Sequence, residues 1–449
     1  MKLFGSSGVR GVVGERITPP FVARVAAAAA GALGAERWAL ARDERTSGPA
    51  LADAAAAGLT GAGAEVDRLG SLPTPGAGRY AEAEGIPALV ITASHNPPEF
   101  NGVKLLGPDG GGLEPAALDA VEGALEDPDY AAWDGMGRGT ELPDAAARYR
   151  RTIREELDAE AIAAADLTVA LDPGHGAGTE VTPDLLRELG CRVRTVNAQP
   201  DGRFPGRESE PVAENLTDLR RLVRASDADV GIAHDGDADR AVFVDESGDS
   251  IDPAASLAAF AAAELDRGDA LVTAVTASQR VVDACEDARA ELELTPIGAT
   301  HIAGRVRELR SEGVRVPVAG EGNGGVFFPE VSMTRDGAYA AGKFLELVAD
   351  AGSARAAVAD HDGYATVRES VAYADESEKE AMLERVAERV EGIEGEVTTI
   401  DGHRIDFGDA WVLVRPSGTE PVIRVYAEAR ERERADGLLC EWADALDGQ

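Results

Sequence analysis

The sequence predicts an α/β protein of three mixed-sheet α/β domains followed by a smaller C-terminal α+β domain, and three observations carry that expectation. First, short apolar runs alternate with amphipathic segments, as in RWALARD (37–43), PALVITAS (87–94), LTVALDPGHGAG (167–178) and ALVTAV (270–275). Strands that alternate with helices build βαβ units and parallel sheets. Second, VGIAHDGDADRAVFVDESGD (230–249) sets two apolar runs around an acidic turn, the pattern of a hairpin at a sheet edge. Third, the C-terminal stretch joins a helical run, Glu376 to Val390, to DAWVLVRPSGTEPVIRVYAEA (409–429), two strands around a polar loop.

The length agrees, since 449 residues at about 150 per domain give three or four domains. Domain 1 (1–143) takes the alanine-rich segment near Ala26 to Leu33 as a helix, then RWALARD, then PALVITAS running into the loop TASHNPPEFNG. Domain 2 (144–249) holds the strand LTVALD, a helix around Asp184 to Leu189, the strand CRVRTVN and the acidic hairpin. Domain 3 (250–362) holds ALVTAV and a glycine-rich turn, GEGNGG (320–325); domain 4 is 363–449. The joints are placed in polar or glycine-containing turns near Glu141–Ala145, Ser247–Asp252 and Asp360–Val367.

Charge is the strongest compositional signal: 81 acidic residues against 44 basic give a net charge of −37, and only four of the basic residues are lysine. Self-repulsion on that scale is quenched in molar salt, where the Debye length falls to about 3 Å, so a salt-loving host and a cytoplasmic location are expected. The negative field disfavours nucleic acid. No apolar run reaches the length of a membrane span. Cys191, Cys285 and Cys440 are scattered and odd in number, which argues against disulfides or a CxxC metal site and for buried apolar roles.

Four loops concentrate the chemistry. In DGDADR (235–240), Asp235, Asp237 and Asp239 alternate with small residues, a spacing that folds three carboxylates onto one hard cation, magnesium or calcium. An EF-hand reading fails at its sixth position, where Arg240 replaces the required glycine. Three carboxylates leave room in a magnesium shell for a phosphoryl oxygen. Ser94, at the end of an apolar strand and beside His95, is placed to supply it; Lys104, retained in a chain that nearly lacks lysine, is a candidate general acid or base. Glu321 and Asn323 in GEGNGG offer hydrogen-bonding groups to a polyol, and RPSGTEPVIR (415–424) gathers two arginines, hydroxyls and glycine-freed amides, a phosphate grip. FGSSGVRG (4–11) adds Arg10. Two rival readings use the same groups: a phosphatase working through phosphoserine, which has no need of the arginine loop, and an acidic cation-binding protein.

Together FGSSGVRG, TASHNP, DGDADR, GEGNGG and RPSGTEP, in that order, resemble the α-D-phosphohexomutases, the family of phosphoglucomutases, phosphomannomutases and phosphoglucosamine mutases. The resemblance implies four domains around a central cleft, the first three related in topology. It implies phosphoryl transfer between the 1- and 6-positions of a hexose phosphate through an enzyme phosphoserine and a hexose 1,6-bisphosphate, with one Mg2+ per chain. Ser94 would carry the phosphoryl group and bind the ion with Asp235, Asp237 and Asp239. Arg10, His95 and Arg240 would contact the reacting group, with Lys104 moving a proton. Glu321 and Asn323 would read the sugar, and Arg415, Ser417, Gly418, Thr419 and Arg424 would hold the second phosphate. The segment TPIGATHIAG (295–304) offers one further sugar contact, His301. Asn323 stands where many relatives carry serine, a form similar to archaeal members, and the expected substrate is glucosamine phosphate, with glucose and mannose phosphates as alternatives. The expected partners are small sugar phosphates, with no nucleic acid or membrane, and the chain a monomer or homodimer.

Overall fold

The structure is a computed structural model that describes residues 3–5, 8–418 and 420–447. Its strands fall into four sheets. The first unit runs β1 (Val9–Val12), α1 (Pro19–Leu33), β2 (Arg37–Arg42), α2 (Gly48–Gly61), β3 (Glu65–Ser71), α3 (Thr74–Glu84), β4 (Ala88–Ile91), β5 (Phe100–Leu106), α4 (Pro115–Gly123) and β6 (Gly139–Glu141). The second runs α5 (Ala145–Glu155), α6 (Ala159–Ala164), β7 (Thr168–Asp172), α7 (Thr182–Glu188), β8 (Arg192–Thr195), α8 (Thr217–Ser226), β9 (Val230–His234) and β10 (Ala241–Val244). The third runs α9 (Pro253–Glu264), β11 (Ala270–Ala274), α10 (Gln279–Ala288), β12 (Glu291–Thr295), α11 (Ala299–Ser311), β13 (Ala319–Gly320), β14 (Val326–Phe327) and α12 (Gly337–Ala351). The last holds β15 (Ala365–Ala372), α13 (Glu376–Val390), β16 (Glu396–Thr398), β17 (His403–Asp406), β18 (Ala410–Pro416), β19 (Val422–Ala429) and α14 (Arg432–Asp447).

The strand orders are β1-β5-β4-β2-β3-β6, β10-β9-β7-β8, β12-β11-β13-β14 and β15-β19-β18-β17-β16. In each of the first three sheets a parallel core meets an antiparallel neighbour: β4 with β5, β9 with β10, β13 with β14. The fourth sheet is antiparallel throughout. Three mixed-sheet α/β units and a C-terminal α+β unit are therefore what the alternation of apolar runs foretold. Local chemistry sets the helix ends. Thr18 caps α1 with its hydroxyl on the Phe21 amide, proline occupies the first turn, and Gly34 ends the helix in a left-handed conformation. Gly58 lets α2 approach α1, because a Cβ there would lie 2.1 Å from the Ala23 carbonyl oxygen.

One continuous core runs through the first three units, from Ala39 and Tyr149 to Phe243, Phe260 and Phe344, and the Phe243 and Phe344 rings stack at 3.9 Å. The fourth unit has its own core around Val412, Val425 and Trp442. It meets the third through a small cluster of Val275, Trp411 and Leu413. Cys191 and Cys285 are buried as expected, but Cys440 lies exposed on α14 and corrects that expectation. Among the described residues no helix is long and apolar enough to cross a membrane.

Candidate active site

All four loops singled out from the sequence are connections between antiparallel strand neighbours: Ser94 between β4 and β5, the aspartates between β9 and β10, Glu321 between β13 and β14, and the arginine loop between β18 and β19. In the three α/β units the strand entering the loop belongs to the parallel core, so each loop leaves a carboxyl end of the sheet, where ligands of such sheets bind.

Ser94 is buried and held in the left-handed region, φ 49°, a conformation that costs a non-glycine residue energy and persists where its surroundings over-determine it. The surroundings are visible. Its amide donates to Thr92 Oγ1 at 2.9 Å, and its carbonyl oxygen accepts from Ser209 Oγ at 2.8 Å and Arg45 Nη2 at 2.9 Å. The hydroxyl donates to Asp235 Oδ2 at 2.7 Å. Backbones of the two loops touch as well, since a Cβ on Gly236 would stand 2.5 Å from the Ser94 carbonyl oxygen. Only glycine fits there.

Asp235, Asp237 and Asp239 are buried, and one oxygen from each lies within 4.8 Å of the others. Each has a different attachment. Asp235 takes the Ser94 hydroxyl; Asp237 Oδ2 accepts from Thr74 Oγ1 at 2.6 Å at the start of α3; Asp239 Oδ2 meets Arg335 Nη2 at 2.6 Å and Lys104 Nζ at 3.1 Å. Asp237 Oδ1 and Asp239 Oδ1 are buried without a hydrogen-bond partner. Burial and the charges of Asp239 and Asp237 push the Asp235 carboxyl up, to about 7. Burial also opposes ionisation of Asp239, but Arg335, Lys104 and Arg240 prevail and hold its carboxyl well below the usual range. Crowded buried carboxylates with orphaned oxygens fit a hard divalent cation, which takes oxygen ligands and relieves their repulsion.

His95, half-buried, sits between the serine and an arginine: Nδ1 is 3.3 Å from Ser94 Oγ and 3.1 Å from Arg240 Nη2. Burial, reinforced by Arg240 and Arg10, pushes its imidazole down to about 3, so the ring is neutral. Because guanidinium only donates, Nδ1 accepts and the proton sits on Nε2. Arg240 also reaches Glu210 at 3.4 Å. Arg10, on β1, donates to Asn96 Oδ1 at 3.1 Å, and its Nε, like that of Arg240, is buried without a hydrogen-bond partner.

Glu321 is held on both oxygens. Oε1 accepts the Gly298 amide at 2.7 Å; Oε2 accepts from Asn323 Nδ2 and Arg335 Nη1, each at 3.2 Å. Asn323 Oδ1 in turn accepts the Gly325 amide at 3.0 Å. Arg335 thus joins the Glu321–Asn323 loop to the aspartate loop, and the Ala241 amide bonding to the Gly324 carbonyl at 2.9 Å joins their backbones. His301 is exposed in the first turn of α11 and does not line the cleft beside Glu321.

That cleft, about 470 Å3, brings Glu321 and Asn323 together with Arg415 and Arg424 of the last unit. A second space of about 650 Å3 joins His95 and Glu210 to Arg424. Arg415 pairs with Asp401 at 3.0 Å and Arg424 with Glu420. The Ser417 amide bonds to the Val422 carbonyl at 2.9 Å, and Gly418 is exposed beside it. Thr419 lies outside the described residues.

Several positioning residues escaped the sequence reading: Arg45, Ser209, Arg335 and Thr74. Each is an ordinary-looking residue outside the loop it holds, and only the long-range fold brings it there.

Residues 1–132, 147–248, 248–362 and 366–445 match, respectively, α/β/α domains I, II and III and the C-terminal domain of phosphoglucomutase/phosphomannomutase. The chain belongs to the phosphoglucomutase/phosphomannomutase family. A probable phosphoglucosamine mutase of Methanopyrus kandleri is 40% identical over 99% of this chain and 98% of its own. A phosphoglucomutase/phosphomannomutase of Thermococcus kodakarensis is also 40% identical, over 98% and 97%. Among solved structures, a phosphoglucomutase/phosphomannomutase family protein from Burkholderia thailandensis superposes with a TM-score of 0.87 at 26% identity, over 100% of this chain and 97% of that one. Membership makes the chain an isomerase of the phosphohexomutase class.

Proposed function

We propose that this phosphohexomutase carries its phosphoryl group on Ser94 and interconverts the 1- and 6-phosphates of a hexosamine, glucosamine phosphate being the preferred substrate. The observation that carries the reading is the Ser94 hydroxyl 2.7 Å from Asp235, at the rim of three buried carboxylates. Asp235, Asp237 and Asp239 would hold Mg2+, which when bound supplies positive charge opposite the phosphoryl oxygens. Arg240 and Arg10 add donors there, and neutral His95 contributes a lone pair that keeps Arg240 aimed at the serine.

In the forward half-reaction the substrate hydroxyl oxygen forms a bond to phosphorus as the Ser94 Oγ–P bond breaks. Lys104, entering this step as the neutral amine, takes the hydroxyl proton and, as ammonium, returns one to the departing Ser94 Oγ. The resulting 1,6-bisphosphate turns over, its other phosphate passing to Ser94, while the Arg415 loop grips whichever phosphate is not reacting. Glu321, fixed by three donors, offers its carboxylate to sugar hydroxyls. Glucose or mannose phosphate is the second reading, favoured by the likeness to the Thermococcus protein.

The test has two arms. The mass of the Ser94 peptide is expected to show an added phosphate, and a panel of glucosamine, glucose and mannose 1- and 6-phosphates with Mg2+ and trace bisphosphate is expected to show turnover fastest with glucosamine. An unmodified peptide together with inertness toward the whole panel would refute the proposal.

A further inference from the structure

The register of the last sheet puts a residue into the cleft that none of the four loops contains. On β15, Thr366, Arg368 and Ser370 lie opposite Glu428, Tyr426 and Arg424 of β19. Those in turn lie opposite Trp411, Leu413 and Arg415 of β18. With a side-chain period of two, these nine residues share one face, while Val367, Val412, Val425 and Ala427 turn inward to the core under α13 and α14. Arg368 is therefore on the same face as both arginines of the phosphate loop, diagonal to Arg424 and about 7–8 Å from it along the ladder.

Its environment differs from theirs. Arg415 is paired with Asp401 and Arg424 with Glu420, whereas Arg368 is exposed and its guanidinium has no hydrogen-bond or ion-pair partner among the described residues. In a chain with 81 acidic and 44 basic residues, an arginine left unpaired in a cleft is conspicuous. Its location is central. Arg368 lines the 470 Å3 cleft with Asn323 and Arg415, the 650 Å3 space with His95 and Arg424, and a third space of about 280 Å3 with Arg240. It thus stands between the serine end and the arginine-loop end. A phosphorylated sugar moving between them passes Glu210, Glu369 and Glu420, which line the same space and repel it.

We propose that Arg368 is a phosphate-binding residue that holds the sugar bisphosphate while it turns between Ser94 and the Arg415–Arg424 loop, an inference that rests on the phosphohexomutase reading above. Its guanidinium offers five donors with no internal bond to give up, so it can follow a phosphate through a rotation and offset the three glutamates on the way. Loss of this contact weakens retention of the intermediate more than it alters the transferring phosphoryl group.

The experiment compares wild-type enzyme with Arg368→Gln and Arg368→Lys, measuring KM for the sugar monophosphate, kcat at saturating bisphosphate, and labelled bisphosphate released into solution per turnover. For Arg368→Gln, KM and bisphosphate release should each rise about tenfold, the effect of one lost charge-assisted hydrogen bond, with kcat and melting temperature little changed; Arg368→Lys should recover most of the loss. Wild-type KM and retention in Arg368→Gln would overturn the proposal. So would a fall in kcat alone, which would place the residue at the reacting phosphoryl group, or a marked fall in melting temperature, which would make it a prop of the sheet. A wild-type enzyme that turns over no sugar phosphate would instead sink the phosphohexomutase reading itself.

Discussion

Arg45 supports Ser94 from the protein interior: its Nη2 donates to the Ser94 carbonyl oxygen at 2.9 Å. The same fully buried guanidinium donates to the carbonyls of Asn96, Pro97 and Phe100 and pairs with buried Asp43 at 3.1 Å, so one side chain holds most of the serine loop. Arg45→Ala takes the counter-charge from the buried Asp43 carboxylate and a donor from each of four carbonyl oxygens, and should cost about 3–5 kcal/mol in unfolding free energy. Arg45→Lys keeps the charge but not the fork. It should fold, melt somewhat lower, and carry much less phosphate on the Ser94 peptide; full phosphorylation in that variant would show that the loop does not need its interior support.

The carboxylate trio makes a prediction about cations that does not depend on turnover. Mg2+ should raise the melting temperature, by an amount equivalent to about 2.7 kcal/mol at a hundredfold excess over Kd. Asp237→Asn retains an oxygen for the Thr74 hydroxyl while removing one of three mutually repelling charges. The cation-free variant should therefore melt no lower than wild type, yet lose its response to Mg2+. An undiminished response, read by calorimetry, would place the ion elsewhere.

Much of this was legible in the chain because the informative features are local. The helix Glu376–Val390 and the acidic hairpin follow from spacing over a dozen residues, and both form as expected. The clustering of three carboxylates in the Asp235–Arg240 turn follows from residue type and spacing alone. What was not legible depends on distant partners. Arg45 and Arg335 look like any of the chain's many arginines until the fold buries them against Asp43 and Asp239. Arg368 was hidden differently, since its alternation with Thr366 and Ser370 is plain in TVRES, but which face meets the cleft is decided by β19. Cys440 failed for the opposite reason: a residue type that is usually buried sits on the outer side of α14.

A net charge of −37 should make stability depend on salt. At low ionic strength the repulsion is long-ranged; at 1 M the Debye length is about 3 Å. Unfolding free energy should accordingly rise steadily from 0.1 M KCl toward molar KCl, as followed by chemical denaturation in urea, an uncharged denaturant. A flat dependence would remove the expectation of a salt-loving protein.

Acid should weaken the fold through histidine. Burial lowers the imidazole of His403, and lowers that of His361 despite the opposing charges of Asp360 and Asp287. Both lie away from the carboxylate trio. Because each folded value is below the unfolded one, near 6.5, the unfolded chain takes up protons that the folded chain resists. The stability these neutral rings contribute is present above about pH 6.5 and lost as pH falls through that value toward the lower folded one. Replacing both with glutamine should flatten the slope of melting temperature between pH 7.5 and 5; an unaltered slope would assign it to other groups.

Glu428, buried on β19, is the principal polar tie between the third and fourth units. Its Oε1 accepts from the Gln279 amide at 2.6 Å, Ser278 Oγ at 3.0 Å and Trp411 Nε1 at 3.1 Å; Oε2 accepts from Thr366 Oγ1 at 2.7 Å and meets Arg280 Nη1 at 3.4 Å. Two of these donors open α10, so the carboxylate also faces the positive end of a helix in the neighbouring unit. Since the fourth unit has its own core, breaking the tie should loosen the docking without melting the sheet. Glu428→Gln turns one acceptor into a donor that faces either the Arg280 guanidinium or the Gln279 amide and Trp411 Nε1, and it removes the charge opposite Arg280, a mismatch of about 3–5 kcal/mol in a buried ion pair. Expected are faster protease cleavage in the joint around Asp362–Tyr364 and a larger radius of gyration in solution scattering, with unchanged far-ultraviolet circular dichroism. Cleavage and dimensions equal to wild type would mean that the Val275, Trp411 and Leu413 contact, with the Arg404 bonds to the Val275 and Ala277 carbonyls, suffices to hold the units together.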